Sequence, residues 1–328
     1  MKRREFIELI GGAAAAWPVT AQAQSAKRRL IGVLMGFAEG DPNAQKLVVA
    51  FTETLATLGW RKGDNTSIEV RWGAADPEKM QNLAKELVQL RPNVILAQTT
   101  PVLRAVARET QTIPIIFAVV SDPIGGGFAA SLTRPGGNVT GFTDAEPEMG
   151  GKWVQLLKNI VPSTQHISLL FNPATAPPLK FYLPSIQAAG VSFNVVITNA
   201  PIGSRAEFEN VFAAASKLGA GVIIMPDGHN TTHRDVIIAL AARYKVPAIY
   251  FNRYFVQSGG LIGYGDDYAE LFRQSARYVD RVLRGENPGE LPIQLPAKFE
   301  LALNLKTAEA LGIEVPSALV AAADEVVQ

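Results

Sequence analysis

The chain contains no cysteine. That excludes disulfides, thiolate metal sites, a Cys nucleophile and a lipid-modified N-terminal Cys. Histidine is nearly as scarce: His166, His229 and His233 are too few for a histidine-rich metal centre. Neither sign of charge is in excess, since 31 Lys and Arg face 30 Asp and Glu. A balanced chain gives no electrostatic basis for holding nucleic acid. Low-complexity segments and short-period repeats are also missing. What remains is 328 residues, 48% of them hydrophobic and 19% charged. That is too long for one ordinary core and about right for two α/β lobes.

Residues 1–23 read as an address. Lys2, Arg3 and Arg4 form a basic start, and an apolar stretch runs from Phe6 to Trp17. Pro18 and the small-residue run Ala21-Gln22-Ala23 follow. This order predicts an export signal cleaved after Ala23. The apolar run is far short of the roughly 20 residues that span a membrane. Arg3-Arg4-Glu5-Phe6-Ile7 resembles the twin-arginine export motif, the alternative being an ordinary Sec signal. Cleavage removes Lys2, Arg3, Arg4, Glu5 and Glu8 and leaves the mature chain with balanced charge.

From Arg29 onward, short apolar runs alternate with helical periodicity. Leu30–Met35, Ser67–Trp72, Val94–Ala97 and Ile115–Val120 read as strands. Asp41-Pro42, Asp76-Pro77 and Thr100-Pro101 mark helix starts between them. The pattern then repeats, with a helix from about Glu146 to Ile160. Strands follow at Ile167–Phe171, Phe193–Thr198, Val222–Met225 and Ala248–Phe251. Such alternation implies parallel sheets with helices on both faces. The expected class is α/β: two doubly wound parallel-sheet lobes with a cleft between them. Lobe 1 is expected over 28–143 plus about 266–295, and lobe 2 over 144–262 plus about 296–328. Gly263 and Gly265 flank Tyr264 where the chain returns between lobes, and they suggest a hinge.

In open parallel sheets, ligands bind beyond the carboxyl ends of the strands. Those ends here supply the candidate ligand-binding residues: Phe37, Thr99, Thr100, Ser121, Asp122, Thr143, Asn172, Asp227, Asn230, Asn252, Tyr254, Tyr264 and Asp266. Thr99 and Thr100 precede a helix whose free N–H groups and dipole favour a carboxylate. Equally, Thr100 could serve only as a helix cap. Asp122 and Asp266 could bind an amine or hold a turn. Phe37, Tyr254 and Tyr264 could stack on an apolar group or be structural. Asn172, Asp227 and Asn230 fit hydrogen bonding to a ligand and plain Asx turns alike.

Signs of chemistry are weak. Gly125-Gly126-Gly127 lacks both G-x-G-x-x-G and a Walker lysine. His229 and His233 have helical spacing without the glutamate of H-E-x-x-H. Ser121 has no G-x-S-x-G context. Neither a catalytic constellation nor a cofactor is therefore expected.

Pro114–Pro123, reading P-I-I-F-A-V-V-S-D-P, and Ser131–Gly141, reading S-L-T-R-P-G-G-N-V-T-G, are distinctive. Together with Gly263-Tyr264-Gly265-Asp266-Asp267, Phe299-Glu300-Leu301 and Asn304–Ala308, they resemble the ABC-transporter substrate-binding family that includes tryptophan/tyrosine-binding lipoproteins. The resemblance spans essentially the whole mature chain. It implies a type I periplasmic-binding-protein fold, a ligand in the interlobe cleft, and Ser121, Asp122 and Tyr264 to Asp266 as cleft residues. It also implies an ABC transporter permease in the inner membrane as partner, and a monomer that performs no chemistry. The ligand is expected to be an amino acid, an aromatic acid or another carboxylate. Lacking the lipid-bearing Cys of the lipoproteins, the chain is expected to be soluble in the periplasm. The alternative is a sensory module that presents its ligand to a membrane receptor. A transcriptional regulator of this fold would need an N-terminal helix-turn-helix where the export signal stands.

Overall fold

The computed structural model describes residues 28–144, 146–174, 179–296 and 299–328. The segment read as an export signal lies outside them. The first strand, β1 (Arg29–Met35), is buried from Ile31 to Met35 because helices cover both its faces. It leads into α1 (Pro42–Thr57), whose first turn is set by Pro42 and by Asp41, whose carboxylate accepts the Asn43 N–H at 2.8 Å. The same strand–helix alternation continues through β2 (Thr66–Trp72), α2 (Pro77–Gln89), β3 (Val94–Gln98), α3 (Thr100–Glu109), β4 (Ile115–Ala118) and β5 (Val139–Phe142). These strands pair in parallel in the order β2-β1-β3-β4-β5.

The chain then enters a second layered unit. It runs through α4 (Met149–Ile160), β6 (His166–Phe171), α5 (Leu179–Ser192), β7 (Val196–Pro201), α6 (Glu207–Leu218) and β8 (Gly221–Ile224). Two short-looped helices follow, α7 (Gly228–Thr232) and α8 (Arg234–Arg243), then β9 (Ala248–Tyr250), α9 (Arg253–Gln257) and β10 (Ile262–Asp266). The parallel part of this sheet is ordered β7-β6-β8-β9-β10, the arrangement of the first sheet over again. β11 (Phe299–Asn304) adds antiparallel to β10, and β12 (Glu325–Val327) closes the edge, with α11 (Leu305–Leu311) and α12 (Ser317–Ala322) between them. Helix α10 (Tyr268–Leu283) follows β10 but packs on α1, β3, β4 and β5, so the chain crosses back to the first sheet there. It returns beside β5, where Thr143 donates its N–H to the Gln294 carbonyl at 3.0 Å.

Three local readings need correction. The strand expected over 115–120 stops at Ala118, because Val119 turns to φ 59°. The strand expected over 193–198 lies at Val196–Pro201. Asn194, at φ 52°, makes a turn first, and the edge position of β7 tolerates polar residues such as Asn199. Gly263 and Gly265 also have another cause than a hinge. A Cβ on Gly265 would collide with the Phe251 carbonyl, and one on Gly263 would lie 2.7 Å from the Asn252 carbonyl. Close backbone approach between β10 and the β9–α9 turn requires them.

Candidate functional site: a cavity between the two sheets

In each sheet the strand order reverses direction beside the first strand, between β1 and β3 and between β6 and β8. Such switch points leave a crevice at the carboxyl ends of the strands. The loops leaving both sheets there face one another and line a common cavity. Phe37, Thr99, Thr100, Pro101, Val119 and Ser121 line it from the first sheet. Pro226, Asp227, Gly228, Thr231 and Phe251 line it from the second, and Asp144 and Tyr268 stand at the two crossings of the chain.

One wall is the start of α3. Thr99 occupies the cap position at φ 81° and ψ 153°, a conformation that costs a β-branched residue about 1–3 kcal/mol. Its side chain makes no capping bond, and its Oγ1 is buried without a partner. Thr100 is the first helical residue and no cap, so the capping alternative for Thr100 falls. Thr99 therefore caps none of the first-turn N–H groups, which are those of Thr100 and Val102 because Pro101 has none. Gln98, fully buried at the end of β3, accepts the Gly36 N–H on Oε1 at 2.8 Å and leaves its Nε2 unpaired. Val119, the other non-glycine lining residue at positive φ, stands at the end of the neighbouring strand.

The opposite electrostatic feature is Asp144. Its Oδ1 accepts the Ser121 hydroxyl at 3.0 Å and its Oδ2 accepts the Tyr268 hydroxyl at 3.2 Å. Burial pushes its carboxyl up to about 6, although both hydroxyl bonds pull the other way. Asp266 lies close enough for the two charges to oppose each other. Burial, with the Asp144 charge adding, pushes it up to about 8. Its Oδ2 is buried and unpaired. Burial and the Asp144 charge also raise Tyr182 and Tyr268 well above the ordinary phenol range. The cavity therefore joins the Asp144 carboxylate to a hydrogen-bond-donating helix end, with Phe37, Val119 and Phe251 as apolar surface.

Of the sequence candidates, Phe37, Thr99, Thr100, Ser121 and Asp227 line this cavity, and Asp266 lies beside its carboxylate. Asp227 also holds structure: it accepts the Asn172 N–H at 3.0 Å and the Asn230 N–H at 2.9 Å. Asn252 and Tyr254 line a neighbouring small void that shares Phe37 and Thr231 with the cavity. The remaining candidates are placed elsewhere. Asp122 accepts the Gly125 N–H at 2.7 Å and holds a turn. Thr143 bonds to the Gln294 carbonyl. Asn172 makes an Asx turn with the Ala174 N–H at 2.9 Å, and Asn230 donates to the Leu170 and Met225 carbonyls. Tyr264 packs against Phe299 in a separate surface groove with Leu301 and Leu319. Asp144, Val119, Thr231, Phe251 and Tyr268 line the cavity without having been among the candidates. His229 stacks on Phe208, His233 packs at a tilt against both rings, and burial lowers His229 to about 4.

Comparison with known proteins agrees with this architecture. Residues 32–327 match the family model described as ABC transporter substrate binding protein. A tyrosine-binding protein of Clostridioides difficile is 28% identical over 279 residues, 84% of this chain and 79% of that protein. A conserved domain protein from Vibrio cholerae superposes with a TM-score of 0.84 at 25% identity, covering 92% of this chain and 99% of the other. An ABC domain from Streptococcus pneumoniae solved with L-Trp superposes at 0.85 and 23% identity, covering 92% and 100%. The resemblance drawn from Pro114–Pro123 and Ser131–Gly141 is thereby borne out, as is the two-lobed α/β class.

Proposed function

From the premise that this chain belongs to the ABC transporter substrate-binding protein family, we propose that it binds a free α-amino acid between its lobes. The observation that carries the proposal is one cavity holding both halves of a zwitterion site. The ligand ammonium sits against Asp144, with the Asp266 carboxyl, held largely protonated at neutral pH by its burial, beside it. The ligand carboxylate sits at the start of α3, where backbone N–H groups and the Thr99 hydroxyl can donate to it. An apolar side chain lies against Phe37, Val119 and Phe251. The names of two relatives support this class: one is a tyrosine-binding protein, the other was solved with L-Trp.

In this reading the lobes are 28–143 with about 266–295, and 144–262 with about 296–328. A ligand touching both favours their closed arrangement by its differential affinity and by no more. The protein works as an exported, soluble, monomeric carrier that delivers its ligand to an inner-membrane permease and performs no chemistry. Residues 1–23 serve as a twin-arginine-type signal, cleaved after Ala23. Among the described residues, no helix is long and apolar enough to cross a membrane.

A thermal-shift panel of L-amino acids, their deaminated and esterified analogues, sugars and metal ions tests the ligand class. At about 100 times its dissociation constant a ligand adds about 2.7 kcal/mol of stability, a readily measured shift. At least one L-amino acid should stabilise the protein, and both its deaminated and its esterified analogue should fail. Stabilisation by sugars or metal ions alone would refute the proposal.

A further inference from the structure

We infer that Asp41 and Arg234 form a latch across the cleft that favours closure of the lobes before any ligand enters. Asp41 follows β1 and caps α1 on the first lobe, whereas Arg234 opens α8 on the second. Arg234 Nη1 donates to Asp41 Oδ2 at 3.2 Å, and the two side chains are only 11% and 10% exposed. Among the described residues, the other ion pairs join groups within one strand, helix or lobe, or around the start of α10.

Local structure gives Arg234 no reason to be there. A cation in the first turn of a helix opposes the helix dipole. Its neighbour Asp235, 3.8 Å from Nε, is 88% exposed and therefore a weak partner. Arg234 Nε is buried with no hydrogen-bond acceptor, so in the closed form its charge is balanced chiefly by Asp41. The pair stands beside the small void lined by Asn252 and Tyr254, not in the ligand cavity, and Phe37 and Thr231 divide the two. A contact there acts on lobe closure without touching the ligand. Opening hydrates both charges. Closing removes that water and exchanges it for a short, charge-assisted bond in a poorly hydrated setting. Neutralising one partner leaves the other charge buried and unpaired on closure, so a single substitution must penalise the closed form.

The inference rests on the two-lobe reading, not on the identity of the ligand, and its test uses no ligand. The absence of native cysteine makes spin labelling clean. Labels at Lys46→Cys on α1 and Ala239→Cys on α8, both exposed positions, report the distance across the cleft by pulsed electron resonance. Dialysed protein with the native pair should show a short-distance population that shrinks at high salt. Arg234→Gln should lower the closed-to-open ratio about tenfold, and so should Asp41→Asn, which keeps the capping oxygen for Asn43. Combining them should add little to either alone, since both break one contact. Should Arg234→Gln fail to fold by circular dichroism, Asp41→Asn carries the test. Identical distance distributions in parent and variants overturn the latch, and so do effects that simply add. A protein that closes as described yet binds no amino acid refutes the ligand proposal and leaves the latch standing.

Discussion

Replacing Asp144 by Asn should make the empty protein more stable and the liganded one weaker, with a pH dependence that identifies the cause. Burial raises the Asp144 carboxyl from 3.8 to about 6. A raised carboxyl contributes stability that is present below its unfolded value and lost as pH rises through its folded value. At pH 8 the folded protein therefore bears about 3 kcal/mol for holding the charge, since its carboxyl moves from 3.8 to about 6 and each tenfold change costs about 1.36 kcal/mol. At pH 4 the same group costs under about 1 kcal/mol, because it is largely protonated in the folded state. Asn preserves the shape, and the Ser121 or Tyr268 hydroxyl can rotate to accept from its amide. Urea unfolding of the ligand-free variant should show a gain near 3 kcal/mol at pH 8 that almost vanishes at pH 4. Calorimetry with the amino acid found in the panel should show about a ten- to hundredfold loss of affinity, the cost of removing one charged partner. A stability gain that is the same at both pH values, or an unchanged affinity, would refute the assignment of Asp144 as the charged contact.

Four further outcomes follow from the same geometry. Affinity for an amino acid should rise from pH 5 to pH 8 as Asp144 loses its proton near 6, with proton release visible as a buffer-dependent heat; a flat profile would remove the ammonium contact. Thr99→Val keeps shape and removes an oxygen with no partner in the protein, so folding stability should hold while affinity falls about fivefold or more. Asp122→Ala should cost about 1 kcal/mol of stability by freeing the Gly125 N–H, yet leave affinity unchanged in titrations. Gly265→Ala should destabilise by more than about 2 kcal/mol or prevent folding, seen by thermal melting, because the methyl group has no room beside Phe251.

The fold was legible because its signals are local. Pro after Asp41 and Asp76, and apolar runs such as Leu30–Met35, fix elements whatever packs on them. The errors fell where tertiary context decides: an edge strand that need not be apolar, and a strand cut short by Val119 at positive φ. The site was half legible. Strand ends in an α/β sheet point to a cleft; Phe37, Thr99 and Thr100 came from that rule alone, and Ser121 from that rule together with the family resemblance. Which loop-tip side chain faces the cleft is set by one turn of backbone, and sequence does not display it. Asp122 and Ser121 are neighbours, yet one carboxylate holds a turn while the other side chain bonds Asp144. Asp144 was missed because Thr143-Asp144 has no motif of its own, and its role arises from the distant Tyr268.

The costs borne by the residues around the cavity argue that it is built for an occupant. Thr99 and Val119 hold backbone conformations that neither prefers. Asp144 and Asp266 are carboxyls in a place that raises both. Gln98 Nε2, Thr99 Oγ1 and Asp266 Oδ2 are buried with no partner. In a core selected for stability alone, each would be replaced at a gain of order 1–3 kcal/mol. Gly228 lies at the same seam, since a Cβ there would come within 3.3 Å of the Ala75 Cβ on the other lobe. These penalties coincide at one cavity, and a zwitterion relieves the polar ones by bringing a donor to the carboxylate and an acceptor to the helix end. The lobes can then close with little left unpaired, so ligand size and charge together determine whether closure is favourable.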